Sequence, residues 1–142
     1  MTNHGILETA MRQSALEMNC GAGDFLLNEH RVVVSAAKDG ARAYLTLPFH
    51  CNLVSYGDNV VASAKEEYVD IVRAYLGDME AYQCFVMENL HRLEDALAPF
   101  GLRIGVMARY FLPDMNALTA LPCPYETRLL GPADFVGLYR PE

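Results

Sequence analysis

The chain has 142 residues and a formal net charge of −7, and its eleven Lys and Arg residues are scattered along it. This charge argues against nucleic acid or an anionic membrane as a partner, because either requires a basic patch. A hydrophobic fraction of 52% with 20% charged residues excludes a disordered tail and indicates a folded core. One domain of this size buries roughly 68–70% of its unfolded surface.

The N-terminus lacks the basic and apolar segments of a secretory signal, and nothing approaches the roughly 18 unbroken apolar residues of a membrane span. We therefore expect a cytoplasmic protein. Four cysteines lie far apart without a CxxC pair, so buried free thiols are expected rather than disulfides or a zinc site. They are Cys20, Cys51, Cys84 and Cys123.

The first predicted element is a helix over residues 6–18, ended by Gly21 and Gly23, with a short turn capped by Asp24 after it. A β-branched run, residues 32–34, is expected to form a strand. The alternating segment 42–47 is expected to pair with it as a hairpin, since Lys38-Asp39-Gly40 between them carries a turn signal and Pro48 follows. The apolar helix positions are Leu7, Met11, Ala15 and Met18, with Ser14 among them.

A second hairpin is predicted over residues 53–63, where Gly57-Asp58 separates two short apolar runs. Apolar residues fall on both of its faces, so helices before and after it are expected to cover both. The predicted opposite pairs are Leu53 with Ala62, Val54 with Val61, Ser55 with Val60, and Tyr56 with Asn59.

Two further helices follow. The first begins at a capping box in which Ser63 is the N-cap and Glu66 the third residue, and it ends at Gly77. The second runs from Asn89 to about Phe100, and residues 84–86 between the two could form a strand. The stripes expected in the core are Tyr68, Val69, Val72, Tyr75 and Leu76 in one helix and Leu90, Leu93, Ala96 and Leu97 in the other.

Alternation over residues 102–112 predicts the longest strand, and two prolines make residues 120–124 a linker. Residues 125–130 are predicted to form a strand and 133–139 the start of a helix. The expected fold is therefore α+β in layers, with helices packed on a mixed, largely antiparallel sheet over residues 1–124. Residues 125–142 are expected to be the first strand and helix start of a second, truncated domain.

Residues 127–139, TRLLGPADFVGLY, resemble the opening strand and helix of a GNAT-superfamily N-acetyltransferase domain. Four upstream stretches are similar to the N-terminal region that precedes this domain in a group of bacterial GNAT proteins. They are residues 19–26, 47–57, 110–114 and 121–125.

The resemblance implies transfer of an acetyl group from acetyl-CoA to a small-molecule amine. In that family an Arg/Gln-x-x-Gly-x-Gly/Ala motif holds the cofactor's pyrophosphate at a helix N-terminus. Neither Gly101–Gly105 nor Gly21–Gly23 has this pattern. We therefore expect no cofactor-binding residues in this chain, acetyl-CoA in the missing C-terminal acetyltransferase domain, and that domain or a second copy of the chain as partner.

Four residues are candidates for the acceptor side of such a site: Phe49, His50, Asn52 and Tyr56 could line a cleft that faces the missing domain. The structural alternative is that polar residues beside Gly57-Asp58 serve the turn. No catalytic or metal-binding residue is predicted. His91 near Glu94 is expected to lie on a solvated helix face.

The sequence leads to three hypotheses about function. The first is an accessory domain of a GNAT-type acetyltransferase, which should expose an apolar patch near residues 125–139. The second is a stand-alone, non-enzymatic module that binds a small ligand or a copy of itself. The third is a cysteine hydrolase built on Cys51 and His50, ranked lowest because adjacent residues of a strand point to opposite faces.

Overall fold

The computed structural model describes residues 2–119, 121–131 and 133–134. Its centre is a three-stranded mixed sheet in the order β1-β3-β2. The strands are β1 (Arg31–Val34), β2 (Cys51–Val54) and β3 (Val61–Ala64), with β3 parallel to β1 and antiparallel to β2. This arrangement confirms an α+β fold with a mixed sheet.

Within the described residues, three α-helices pack around the sheet: α1 (Asn3–Met18), α2 (Val69–Leu76) and α3 (Met87–Leu97). Helix α1 starts three residues before the predicted start, since the Thr2 hydroxyl accepts from the Gly5 N–H. It ends at Asn19 in the left-handed region, before Gly21. Short 3₁₀ helices occupy Ala22–Leu26, Glu66–Tyr68, Gln83–Phe85 and Ala98–Phe100.

Strand β3 is buried on both faces, as the double-sided apolar pattern predicts. On one face Val61 packs with Phe25 and with apolar residues of α1. On the other, Ala62 and Ala64 pack with α2 and α3. Most residues of the predicted helix stripes belong to this second core: Tyr68, Val72, Tyr75, Leu76, Leu93 and Leu97 are buried in it, and the half-buried Val69 packs against it. Leu90 is also buried, whereas Ala96 and Phe100 are exposed.

Two of the four predicted pairs of the second hairpin are confirmed: Leu53 lies opposite Ala62 and Val54 opposite Val61, whereas Ser55 with Val60 and Tyr56 with Asn59 lie beyond the strand ladder. The strands end at these pairs, so residues 55–60 form a wider connection than the predicted two-residue turn. Within it the Ser55 hydroxyl donates to the Asn59 carbonyl at 2.6 Å. This bond closes the connection where the strand ladder was expected to continue.

The first predicted hairpin is wrong. Residues 42–47 form turns and bends, although the turn at Lys38–Gly40 is present. Strand β1 instead pairs with β3 in parallel, and Val33 lies opposite Ser63. Pairing with the fully buried central strand half-buries Val32 and Val33, whereas Arg31 and Val34 at the ends of β1 stay exposed.

The predicted capping box is also wrong, because Ser63 is a fully buried residue of β3 rather than an N-cap. Lys65 occupies the N-cap position of the following 3₁₀ helix without a side-chain capping bond, and α2 begins only at Val69. Residues 84–86 form no strand, because Gln83–Phe85 is a 3₁₀ turn. Asn89 lies inside α3, which starts two residues earlier at Met87.

Residues 102–112 form no strand, and neither do residues 125–130. Both segments carry exposed apolar side chains, such as Val106 and Leu129. Alternation of apolar and polar residues was therefore not sufficient to predict a strand, because a strand also requires a hydrogen-bonded neighbouring strand. Of the predicted helix start at 133–139, only 133–134 lie within the described residues, so that prediction falls outside them.

Candidate functional site

Two of the candidate acceptor-side residues, Phe49 and Tyr56, are half-buried against the core beneath α1. The Tyr56 ring meets Phe25 edge-to-face at a centroid distance of 5.0 Å. Its hydroxyl shares a hydrogen bond of 2.8 Å with the Ser14 hydroxyl of α1. Both aromatic side chains therefore fasten α1 to the sheet.

The third candidate, Asn52, lies in β2 and also points toward α1. Its side-chain amide is 3.1 Å from the sulfur of Met18, and across the ladder its neighbour is Ser63. The Ser63 hydroxyl is fully buried and has no hydrogen-bond partner in the described part of the chain. Asn52 and Ser63 thus form a polar spot in an otherwise apolar layer.

The fourth candidate, His50, is exposed and lies apart from the other three. Its ring centroid is 6.2 Å from that of Tyr68, and its Nε2 is 3.4 Å from the Lys65 ammonium. Neither surface depression described below is lined by any of the four residues. Their role in acceptor selection stays a prediction.

Cys51 follows His50 but faces the core beneath α2 and α3. Burial raises the pKa of its thiol to about 12, so it is protonated near neutral pH and a weak nucleophile. Burial and the nearby Asp24 carboxylate likewise raise the pKa of Cys20 to about 11. All four thiols are free, but only Cys84 is buried; Cys20 and Cys51 are half-buried and Cys123 is exposed, which corrects the expectation of buried thiols.

The turn residue Asn59 supports the structural reading of the polar residues beside Gly57-Asp58. It is fully buried, and its amide nitrogen donates to the carbonyls of Asp24 at 2.7 Å and Glu29 at 3.0 Å. These bonds hold the loop before β1 against the start of β3. Asn59 therefore organises the backbone rather than facing a ligand.

His30 was not singled out from the sequence, yet it joins two elements. Its Nδ1 accepts from the buried Val60 N–H at 3.0 Å, so Nε2 carries the proton and donates to the Met79 carbonyl at 2.7 Å. The Cys84 sulfur lies 3.9 Å from the same Nε2. A lone histidine before a strand gives no sequence signal for this role.

Two shallow depressions lie on the surface near these elements. One, of about 320 Å³, is bordered by Gly57, Asp58, Glu80 and Tyr82. Its two carboxylates give a negative potential, which would attract a cation such as a protonated amine. The other, of about 340 Å³, is bordered by His30, Arg73 and Asp78 among others.

Among the described residues, no group of three or more His, Cys, Asp or Glu side chains is arranged to hold a metal ion. His91 is 3.6 Å from the Glu94 carboxylate on an exposed face of α3. None of the described helices combines the length and apolar character needed to cross a bilayer.

No family model matches the chain, and no curated protein or solved structure shows significant similarity to it.

Proposed function

We propose that this chain is the N-terminal accessory domain of a GNAT-type N-acetyltransferase. A catalytic domain outside this sequence would transfer the acetyl group from acetyl-CoA to an amine, while this domain supplies a wall of the acceptor site or a surface for assembly. The sequence resemblance motivates the proposal. The exposed apolar side chains of residues 121–130 are the structural observation that supports it.

Three of these side chains are almost entirely in solvent: Leu121 is 83% exposed, Tyr125 79% and Leu129 98%. Burying a large apolar side chain stabilises a protein by roughly 1.5–3 kcal/mol. Burial of these three side chains against a partner would therefore be favourable. The catalytic domain is the partner we propose for this segment.

The test compares this chain with the protein encoded when the reading frame is extended past codon 142. We expect the extension to contain an Arg/Gln-x-x-Gly-x-Gly/Ala motif between a strand and a helix. Calorimetry should then show acetyl-CoA binding by the longer protein but not by this chain, and a panel of amines should be acetylated only by the longer protein. Tight binding of acetyl-CoA by this chain alone would overturn the proposal, as would an extension without the motif.

A matched pair of variants tests the interface in the longer protein. Leu129→Ser should lower its thermal stability or separate its unfolding into two transitions, because the apolar contact between domains is lost. Tyr82→Ser is the control, since Tyr82 is 70% exposed but lies at the depression beside Gly57. Equal effects of the two substitutions would show that residues 121–130 do not face the catalytic domain.

The alternative is a stand-alone module that binds a small ligand, favoured by the acidic depression at Asp58 and Glu80. Under this alternative, a protonated amine should bind this chain by itself, and Asp58→Asn should weaken that binding. Under the acetyltransferase proposal, amine binding should require the longer protein. Calorimetry with the same amine panel therefore separates the two functions.

A further inference from the structure

We propose that His30 is a proton-sensitive link between the start of β3 and residues 77–82. When its ring takes up a second proton, the hydrogen bond to Val60 breaks and the two segments are no longer joined. The proposed function assigns no role to His30, so this inference goes beyond it. The two hydrogen bonds of the ring, the burial of the Val60 N–H and the charges around the ring support this role.

The His30 ring extends the pairing of β1 with β3 by one hydrogen bond. The Arg31 N–H donates to the Val60 carbonyl at 2.9 Å, and the Val60 N–H donates to the His30 Nδ1 at 3.0 Å. On the other side of the ring, Nε2 donates to the Met79 carbonyl at 2.7 Å. The ring therefore binds one backbone group in each of the two segments.

Only the neutral ring can make both bonds. A neutral imidazole has one N–H that donates and one bare nitrogen that accepts, whereas both nitrogens of the protonated ring are donors. A proton on Nδ1 would face the Val60 N–H, donor against donor, so this bond must break. The bond from Nε2 to the Met79 carbonyl is compatible with either form of the ring. The bond to Val60 is therefore present in the neutral form and lost as the pH falls through the range in which the ring is protonated.

The Val60 N–H is buried, so the loss of its acceptor requires a local movement. Val60 is fully buried, and a buried N–H without a partner is unfavourable. The His30 ring borders the depression of about 340 Å³, so water lies beside it and can reach the N–H when the ring moves outward. The Asn59 amide and the Arg31 N–H keep their own bonds to the neighbouring backbone. The movement is therefore local and leaves the sheet intact.

The charged groups around the ring favour its protonated form once the bond is broken. The Glu29 and Asp78 carboxylates border the same depression as the ring, and Arg73 is the cation among the bordering residues. The Arg73 guanidinium already donates to the Asp70 carboxylate at 2.5 Å. The Cys84 sulfur lies 3.9 Å from Nε2, and burial raises the pKa of this thiol, so it is uncharged near neutral pH. Two carboxylates against one paired guanidinium give a potential that attracts the imidazolium.

The link also joins the two segments that carry the carboxylates of the acidic depression. Asp58 lies two residues before Val60, and Glu80 directly follows Met79. Because the ring bonds Val60 and Met79, it sets the separation of these two segments at neutral pH. Protonation of the ring lets them separate, so the shape of the acidic depression depends on pH.

Hydrogen exchange followed by NMR tests the link in the chain itself. The protection factor of the Val60 amide, which corrects for the intrinsic effect of pH on exchange, should fall at least about tenfold from about pH 7.5 to about pH 5. The Ser35 N–H donates to the Ala64 carbonyl at 2.7 Å in the same sheet, and its protection factor should stay constant. Constant protection of Val60 would overturn the proposal. An equal fall at Ser35 would also overturn it, because the loss would then be global.

The ring itself and a matched variant assign the effect to His30. The nitrogen chemical shifts of the ring should show a proton on Nε2 alone at about pH 7.5 and on both nitrogens at about pH 5, with the same midpoint as the Val60 protection. His30→Asn keeps an acceptor without a titrating nitrogen, so Val60 protection should no longer depend on pH. His91→Asn, on the exposed face of α3, is the control and should behave as the wild type does.

Two results would refute the assignment to His30. One is a different midpoint for the ring and for the Val60 amide, which is measured in the wild type and needs no variant to fold. The other is a Val60 amide whose protection still falls in acid in His30→Asn. Circular dichroism of each variant confirms that the sheet and helices are retained.

Discussion

Glu17 of α1 and Arg42 of the loop after β1 form a two-pronged ion pair. The Arg42 Nε and Nη2 donate to the two carboxylate oxygens, with the Nη2 bond at 2.6 Å. Glu17 is only 5% exposed, whereas the Arg42 side chain is 45% exposed and lies over the Tyr44 ring at 5.3 Å. The pair fixes residues 42–47 against α1 without a strand.

Replacing the cation should leave a buried carboxylate without its partner. We expect Arg42→Gln to lower the free energy of unfolding by about 1–3 kcal/mol, measured by urea denaturation. Arg12→Gln is the matched control, because the Arg12–Glu8 pair is exposed and should contribute less than about 0.5 kcal/mol. Equal losses in the two variants would mean that the burial of Glu17 has no energetic consequence.

The pH dependence of stability has a defined sign at this pair. Burial raises the pKa of Glu17, but the hydrogen bonds and charge of Arg42 outweigh it, so the pKa lies below the ordinary 4.5. The pair therefore stabilises the fold above pH 4.5, and this contribution is lost as the pH falls through the lowered pKa. The stability difference between wild type and Arg42→Gln should be constant at neutral pH and shrink in acid. A difference that grows below pH 4.5 would contradict this assignment.

Ser63 provides a test of strand against cap. Replacing an N-cap serine by alanine lowers the free energy of unfolding by about 1 kcal/mol. Removing a buried hydroxyl that has no hydrogen-bond partner does not lower it. We therefore expect Ser63→Ala to leave thermal stability unchanged or raised. Ser55→Ala should lower the free energy of unfolding by about 1 kcal/mol, because the Ser55 hydroxyl donates to the Asn59 carbonyl and accepts from the Gly57 N–H.

His30 should contribute to stability through its two hydrogen bonds. His30→Ala leaves the fully buried Val60 N–H unpaired, so we expect a loss of about 1–3 kcal/mol in chemical denaturation. His91→Ala, on the exposed face of α3, is the control and should change stability by less than about 0.5 kcal/mol. If both variants had the stability of the wild type, the hydrogen bonds of His30 to Val60 and Met79 would make no measurable contribution to stability.

Thiol labelling distinguishes a structural Cys51 from a nucleophile. At neutral pH a small alkylating reagent should modify the exposed Cys123 first and Cys51 far more slowly, since the pKa of Cys51 is about 12. Peptide mass spectrometry resolves the four sites over time. Faster modification of Cys51 than of Cys20, Cys84 and Cys123 would restore the cysteine-hydrolase reading.

Local patterns in the sequence were sufficient for α1, for the core stripes of α2 and α3, and for the register of Leu53 opposite Ala62. Each depends on a period of burial that a short segment expresses by itself. The same reasoning placed Phe49, His50, Asn52 and Tyr56 near one another in the chain. It could not show that three of them turn toward α1 while His50 lies beside Tyr68.

Only the tertiary structure decided which strands meet. β1 pairs with β3 and not with the adjacent segment 42–47. This parallel pairing places Val32 and Val33 opposite buried residues of β3. Ser63 became part of a strand for the same reason, although its local pattern was that of a cap. Residues 102–112 have the composition of a strand but pair with no strand among the described residues. A strand, unlike a helix, completes its backbone hydrogen bonds only with another strand. The local sequence therefore determines whether a segment is suited to a strand, and the tertiary structure determines whether the strand forms.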